Sequence, residues 1–186
     1  MEALLVSMGA ILVSEIGDKT QLLAIVLAAR FKRPWPIVAG ILVATLMNHT
    51  LAGVVGAWLR VHLGPEVLRW CLGVSFLLAA AWVLKPDRID NDPRPVGHYG
   101  VFTITAMSFF LAEMGDKTQL ATVMLAAKYP SLAAVVAGTT AGMLLADVPA
   151  VFLGHVASGR IPFKAVRVVS ALVFVALGLT TLLRQP

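Results

Sequence analysis

Two eight-residue stretches concentrate the side chains of this chain that could do chemistry. Motif 1, residues 15–22, reads Glu-Ile-Gly-Asp-Lys-Thr-Gln-Leu, and motif 2, residues 113–120, reads Glu-Met-Gly-Asp-Lys-Thr-Gln-Leu. Each places two carboxylates, a lysine, a hydroxyl and an amide inside a long apolar run. Ionisable side chains are costly within a membrane, so groups of this kind indicate a functional site.

The side chains of the two motifs suit a hard divalent cation. The acids Glu15 and Asp18 are three residues apart, a spacing that puts both on one face of a helix, and Gln21 extends that face. A break at Gly17 would add free backbone carbonyls. Oxygen donors favour Ca²⁺, Mg²⁺ or Mn²⁺ over zinc or copper. The predicted metal ligands are Glu15, Asp18, Gln21, Glu113, Asp116 and Gln119.

The charge of the two motifs suggests that metal ions and protons compete. Four carboxylates and two lysines leave a charge of 2 − 4 = −2, which one divalent cation or two protons would neutralise. Such competition is the minimal chemistry of cation/proton antiport. An ammonium has no lone pair with which to bind a metal, so the lysines are better explained as partners of the carboxylates. The threonines could take part in the site, or they could bond backbone carbonyls one turn back. The predicted supporting or proton-coupling residues are Lys19, Thr20, Lys117, Thr118, Asn48, His49 and Asp147.

The composition predicts an all-α integral membrane protein. The chain has 186 residues, of which 59% are hydrophobic and 13% charged, whereas soluble domains carry about 25% charged residues. Apolar blocks of membrane-spanning length predict six transmembrane helices, at about 3–29, 35–59, 66–84, 100–127, 131–157 and 163–183. The single cysteine, Cys71, excludes an internal disulfide, and we expect it to be buried.

An internal repeat organises these helices. Glu15 and Glu113 are 113 − 15 = 98 residues apart, and the same offset pairs His49 with Asp147 and Phe76 with Phe174. Each copy holds three helices, an odd number, so consecutive copies must enter the membrane from opposite sides. The sequence therefore predicts two inverted-topology repeats in one transmembrane domain, 1–84 and 100–186, joined by the polar linker 85–99.

Loop charges predict the orientation of the chain. Of the lysines and arginines outside the motifs, nine follow helices one, three and five, and four lie on the other side. The positive-inside rule then places the linker in the cytoplasm and both termini outside. The net charge of +5 fits a membrane surface rather than nucleic acid. The sequence leaves the oligomeric state open, a homodimer included.

The same residues also fit several other functions. The charged motifs could be internally satisfied ion pairs that lock helix packing, although buried ion pairs are weak stabilisers. Carboxylates could also line a passive divalent-cation channel. Two carboxylates could serve an intramembrane enzyme as acid and base, but no serine–histidine, zinc or nucleotide-binding motif supports an enzyme, and no cofactor is predicted.

The doubled Glu-x-Gly-Asp-Lys-Thr pattern, one copy in each half, resembles the GDT1 family. The resemblance covers nearly the whole chain, and both copies match without departure. It implies a Ca²⁺/Mn²⁺ transporter that exchanges its cation for protons, with Mn²⁺ export as the usual bacterial role and Ca²⁺/H⁺ exchange as the alternative. Because the chain is compact and shows no organellar targeting segment, we also expect a multi-pass protein of the bacterial inner membrane. The acids of the family motif correspond to Glu15, Asp18, Glu113 and Asp116.

Overall fold

The computed structural model describes residues 1–85, 100–153 and 163–183, with the backbone alone over 163–167. The described residues form eight α-helices and no strand. The first half contains α1 Glu2–Glu15, α2 Lys19–Phe31, α3 Pro34–His62 and α4 Pro65–Val83. The second half contains α5 Val101–Glu113, α6 Lys117–Lys128, α7 Leu132–Leu153 and α8 Phe163–Leu183. The predicted linker, apart from Lys85, lies outside the described residues.

The predicted first and fourth helices are each broken in two. Gly17 and Gly115 have φ angles of 81° and 77°, in the left-handed region that glycine enters at little cost. Glu15 therefore ends α1, and Asp18 lies at the N-cap of α2. The prediction that the two acids share one helical face is wrong, because the backbone turns between them.

Three of the described helices are long and apolar enough to cross a membrane: α3, α4 and α7. Helix α5 and the described part of α8, Val168–Leu183, are apolar but shorter. Each half of the broken helices has 12 to 14 residues, fewer than the roughly 20 that a straight span needs. The chain is thus an all-helical membrane protein in which three spans are evident from single helices.

The two halves of the chain pack against each other through reciprocal helix pairs. Helix α1 packs on α7, and α5 packs on α3. A Cβ atom on Gly138 would collide with the backbone of Leu4, and one on Gly40 would lie 2.9 Å from the carbonyl oxygen of Phe102. These two contacts are related by the 98-residue offset, since 40 + 98 = 138 and 4 + 98 = 102. Small residues allow both crossings.

Some residues contact their own repeat mates. The hydroxyl of Thr45 lies 3.1 Å from the sulfur of Met143, and the stacked rings of Phe76 and Phe174 have centroids 6.4 Å apart. In both pairs the offset is 98, since 143 − 45 and 174 − 76 give the same number. A contact between equivalent residues is typical of positions beside a two-fold axis.

Cys71 is exposed rather than buried, so that prediction is wrong. It lies on α4, where Val67, Trp70 and Val74 are each about half exposed. This face of α4 has an apolar composition, and no described helix covers it, as expected of a surface that meets lipid. An apolar sequence context therefore did not distinguish a protein core from a lipid-facing surface.

Candidate cation site

The two motifs meet through crossed ion pairs. The ammonium of Lys19 lies 2.8 Å from Oδ1 of Asp116, and the ammonium of Lys117 pairs with Asp18. Both aspartates are buried, with 3% or less of the side chain exposed. The lysines are therefore carboxylate partners, as expected, and each one bonds to the aspartate of the other motif.

Each glutamate is held by the threonine of its own motif. The hydroxyl of Thr20 donates to Oε1 of Glu15, and the hydroxyl of Thr118 donates to Oε2 of Glu113 at 2.6 Å. The alternative in which the threonines bond a backbone carbonyl one turn back is wrong. The broken helix brings the glutamate that ends one segment beside the threonine that begins the next.

The glutamines support the breaks in the helices. Oε1 of Gln21 accepts the backbone N–H of Gly17 at 2.8 Å, and Oε1 of Gln119 accepts that of Gly115 at 2.7 Å. The amide nitrogen of Gln21 also donates to the carbonyl of Ala146 on α7, at 3.1 Å. Each amide thus satisfies a backbone group that the helix break leaves without a helical partner.

The residues predicted on the second and fifth helices lie buried in the interior. The side chains of Asn48, His49 and Asp147 have no exposed surface. The amide nitrogen of Asn48 donates to the carbonyl of Phe110 at 3.0 Å. Among the described residues, neither ring nitrogen of His49 and neither oxygen of Asp147 has a hydrogen-bond partner. A buried polar atom without a partner is rare and calls for a reason.

The buried acids outnumber the buried cations. Among the described residues five acids are buried: Glu15, Asp18, Glu113, Asp116 and Asp147. With the buried Lys117 and the partly exposed Lys19 the formal sum is 2 − 5 = −3. Glu15 interacts electrostatically with all four of the other carboxylates. One oxygen of Glu15 and one of Glu113 have no hydrogen-bond partner in the described structure. With all five acids ionised, the described interior would therefore have more negative than positive charge.

In this conformation the acids are not arranged as a ready-made cage. The described residues contain no group of three or more His, Cys, Asp or Glu side chains placed to hold a metal ion. Lysines and threonines hold the carboxylates instead. To coordinate a cation with several carboxylates, the site would have to exchange some of these contacts for metal–oxygen bonds.

A cavity of about 390 Å³ lies beside motif 2. Asp116, Gly115 and Gln119 contribute its polar wall, and apolar side chains line the rest, among them Leu51, Val55, Trp82 and Val123. Lys19, the partner of Asp116, is 25% exposed, whereas Lys117 is 3% exposed. The two ion pairs therefore occupy equivalent positions in the repeats but differ in the exposed fraction of their lysines.

Two buried hydroxyls lie outside the predicted set of site residues. The side chains of Ser7 on α1 and Thr140 on α7 are buried, and their oxygens have no hydrogen-bond partner within the described structure. One signal was available, since the repeat mate of Ser7 is Thr105 (7 + 98 = 105), which also carries a hydroxyl. A hydroxyl at both mates marks a polar position on an otherwise apolar helix.

The protein is helical and apolar, its buried acids outnumber the lysines beside them, and each motif lysine pairs with the aspartate of the other motif. These features are typical of ion-transporting membrane proteins. Comparison with known families agrees: the model of the divalent cation/proton antiporter GDT1 matches residues 3–91 and 101–186. The chain belongs to the GDT1 family, whose members are transporters and not enzymes. The two matched stretches begin 101 − 3 = 98 residues apart, the offset of the internal repeat.

Two relatives cover nearly the whole chain. A protein of Vibrio cholerae named "Putative manganese exporter" is 44% identical over 182 residues, which are 97% of this chain and 90% of the relative. A GDT1-like protein of Synechocystis is 28% identical over 185 residues, with 88% of each chain covered. No solved structure matches the chain.

Proposed function

We propose that this chain exports Mn²⁺ in exchange for protons, at one site that both repeats build near the middle of the membrane. The observation that carries the proposal is the crossed pairing of the motifs, Lys19 with Asp116 and Lys117 with Asp18. Because each half supplies the partner of the other, neither motif forms a complete site alone. Membership of a divalent cation/proton antiporter family supports the exchange chemistry.

The proposed topology has six spans. Helices α1 and α2 together run from Glu2 to Phe31, and α5 and α6 from Val101 to Lys128, so each broken pair is long enough to cross as one discontinuous span. Three spans per half then give an inverted repeat, with domain limits 1–84 and 100–186 and the linker 85–99 between them. Discontinuous helices at a repeat interface are a frequent setting for ion sites in secondary transporters.

The proposed mechanism exchanges charge at the buried acids. The surplus of −3 among five acids and two lysines can be reduced by a divalent cation or by protons, and a cation that binds expels protons from the same oxygens. We propose Glu15, Asp18, Glu113 and Asp116 as ligands, with Gln21 and Gln119 as neutral oxygens. The polar side-chain atoms of Asp147 and His49 have no hydrogen-bond partner within the described structure. We propose that these two residues couple protons or complete the site.

We propose Mn²⁺ as the transported substrate because a relative with 44% identity is named a "Putative manganese exporter". Ca²⁺/H⁺ exchange is the second candidate, since the family description names divalent cations in general and both ions prefer oxygen ligands. The proposed location is the bacterial inner membrane, with the linker in the cytoplasm and the termini outside.

Transport in proteoliposomes tests this proposal. An imposed pH gradient should drive Mn²⁺ uphill, whereas a passive channel could only dissipate a Mn²⁺ gradient. Side-by-side assays with Mn²⁺, Ca²⁺ and Mg²⁺ rank the substrates. We expect Glu15→Gln and Glu113→Gln each to reduce proton-driven Mn²⁺ transport by at least about 100-fold, the scale of one lost charge-assisted interaction.

The matched control for these variants is Glu66→Gln. Glu66 is an exposed acid on α4 that pairs with Arg69 at 2.8 Å. The same chemical change is therefore made at an exposed position that lies outside both motifs. Its transport should stay within about twofold of the unmodified protein, since exposed ion pairs contribute little. Normal proton-driven transport by both motif variants would refute the shared site.

A further inference from the structure

The two lysine–aspartate pairs differ in their surroundings although they are repeat mates. Asp116 lines the cavity of about 390 Å³ beside motif 2, and its partner Lys19 is 25% exposed. Lys117 is 3% exposed, and its partner Asp18 is fully buried. The Lys19–Asp116 pair is therefore partly open, with Asp116 on the wall of the cavity and Lys19 partly exposed, whereas the Lys117–Asp18 pair is enclosed by protein.

Lys19 does not occupy a position that favours a cation locally. It is the first residue of α2, where the positive end of the helix dipole disfavours an ammonium. Asp116 lies at the N-cap of α6 without capping that helix through its side chain, although aspartate is among the best N-cap residues. Lys117 is likewise the first residue of α6, and Asp18 is the N-cap of α2 without a side-chain cap. Both pairs therefore depart from the arrangement that would best stabilise their helices, as expected of functional residues, and exposure is what distinguishes them.

A divalent cation and the Lys19 ammonium would compete for the same carboxylate. Glu113, in the same motif as Asp116, has one oxygen with no hydrogen-bond partner among the described residues, and it interacts electrostatically with Asp116 and Lys19. A divalent cation drawn to these oxygens would bring like charge against the ammonium. Because Lys19 is partly exposed, this repulsion can move its ammonium off Asp116, whereas the enclosed Lys117 has no room to leave Asp18.

We propose that Lys19 is a tethered counter-ion, which the transported divalent cation displaces from Asp116, while Lys117 stays on Oδ1 of Asp18 and Asp18 contributes to the site without releasing it. This inference rests on the proposed function. The ammonium keeps Asp116 neutralised when no metal is bound, and its return to Asp116 helps to release the metal. Lys19 thus lowers metal affinity, and Lys117 stabilises the fold.

Mn²⁺ binding to the purified full-length protein tests this role, with free Mn²⁺ followed by its electron paramagnetic resonance signal. Lys19→Met removes the competing charge but keeps the length of the side chain. We expect it to bind Mn²⁺ at least about tenfold more tightly than the unmodified protein. Lys19→Arg keeps the competing charge and should bind within about threefold of the unmodified protein. Lys19→Gln is a second neutral variant, in case Lys19→Met does not fold.

The matched control is Lys117→Met, the same change at the repeat mate. Because Lys117 is enclosed, its loss should lower the thermal unfolding midpoint of the metal-free protein without tightening Mn²⁺ binding. If neither neutral variant at position 19 binds Mn²⁺ more tightly, or if Lys117→Met tightens binding equally, the counter-ion role is refuted. If the unmodified protein shows no saturable Mn²⁺ binding, the proposed function fails instead.

Discussion

Among the five buried acids of the described structure, Asp147 is the one whose carboxyl has no hydrogen-bond partner at all. Its carboxyl is fully buried, and neither oxygen has a hydrogen-bond partner in the described structure. It interacts electrostatically with Glu113 and Glu15, so a negative charge there is opposed by other carboxylates. A position of this kind is costly for the fold and is retained where a cation or proton uses it.

We therefore predict opposite effects of Asp147→Asn on stability and on metal binding. Without metal, the variant should be more stable by about 1–2 kcal/mol, because a buried unpaired carboxylate is replaced by a neutral group of the same shape. Its affinity for Mn²⁺ should fall at least about tenfold, since one oxygen charge near the site is lost. Thermal unfolding and Mn²⁺ titration of the same samples measure both quantities.

Glu2→Gln is the control for this prediction. Glu2 is exposed at the start of α1, so the same loss of charge should leave both stability and affinity nearly unchanged. If Asp147→Asn binds Mn²⁺ as tightly as the unmodified protein, Asp147 belongs to the helix packing and not to the cation site.

At the scale of the helices, the glycine break decides where each motif side chain lies. Gly115 has a φ of 77°, and a Cβ atom built there would meet no atom within 4 Å. An alanine at this position would therefore suffer from backbone strain and not from a collision. Without the break, Glu113 and Asp116 would lie on one continuous helix, and Thr118 would not meet Glu113 as it does.

We predict that Gly115→Ala lowers the free energy of unfolding by about 1–2 kcal/mol, the cost of the left-handed conformation for a residue with a side chain. It should also reduce Mn²⁺ transport, because relief of the strain moves the motif side chains apart. Chemical denaturation and the proteoliposome assay measure the two effects. Gly64→Ala is the matched control: Gly64 also has no atom within 4 Å of a Cβ, but its φ is −60°. An equal cost at both positions would show that strain is not the cause.

The sequence could predict the helices better than the contacts between them. Periodic apolar blocks and prolines such as Pro34 and Pro65, which begin α3 and α4, locate most helix ends. The sequence indicates a weak point at Gly17, and the repeat extends it to Gly115, but a glycine in a helix does not by itself determine whether the backbone turns. The crossed lysine pairs could not be predicted at all, because they depend on how two halves 98 residues apart pack together.

At the scale of the whole molecule, the proposed inverted topology has a direct geometric consequence. Arg33 precedes α3 and Ser131 precedes α7, and they are repeat mates because 33 + 98 = 131. In an inverted repeat, mates at the ends of equivalent helices lie on opposite sides of the membrane. Reciprocal contacts such as Gly40 with Phe102 and Gly138 with Leu4 agree with a two-fold relation, but they do not give its direction relative to the membrane.

Single-cysteine labelling supplies that direction, because Cys71 is the only cysteine in the chain. In a Cys71→Ser background, Arg33→Cys should react with a membrane-impermeant maleimide only in inside-out vesicles. Ser131→Cys should react only in intact, right-side-out cells, since both residues are exposed but would face opposite compartments. The Cys71→Ser protein alone should remain unlabelled in both. If both cysteines react from the same side, the halves are parallel, and the two motifs cannot be symmetric contributors to one site at the middle of the membrane.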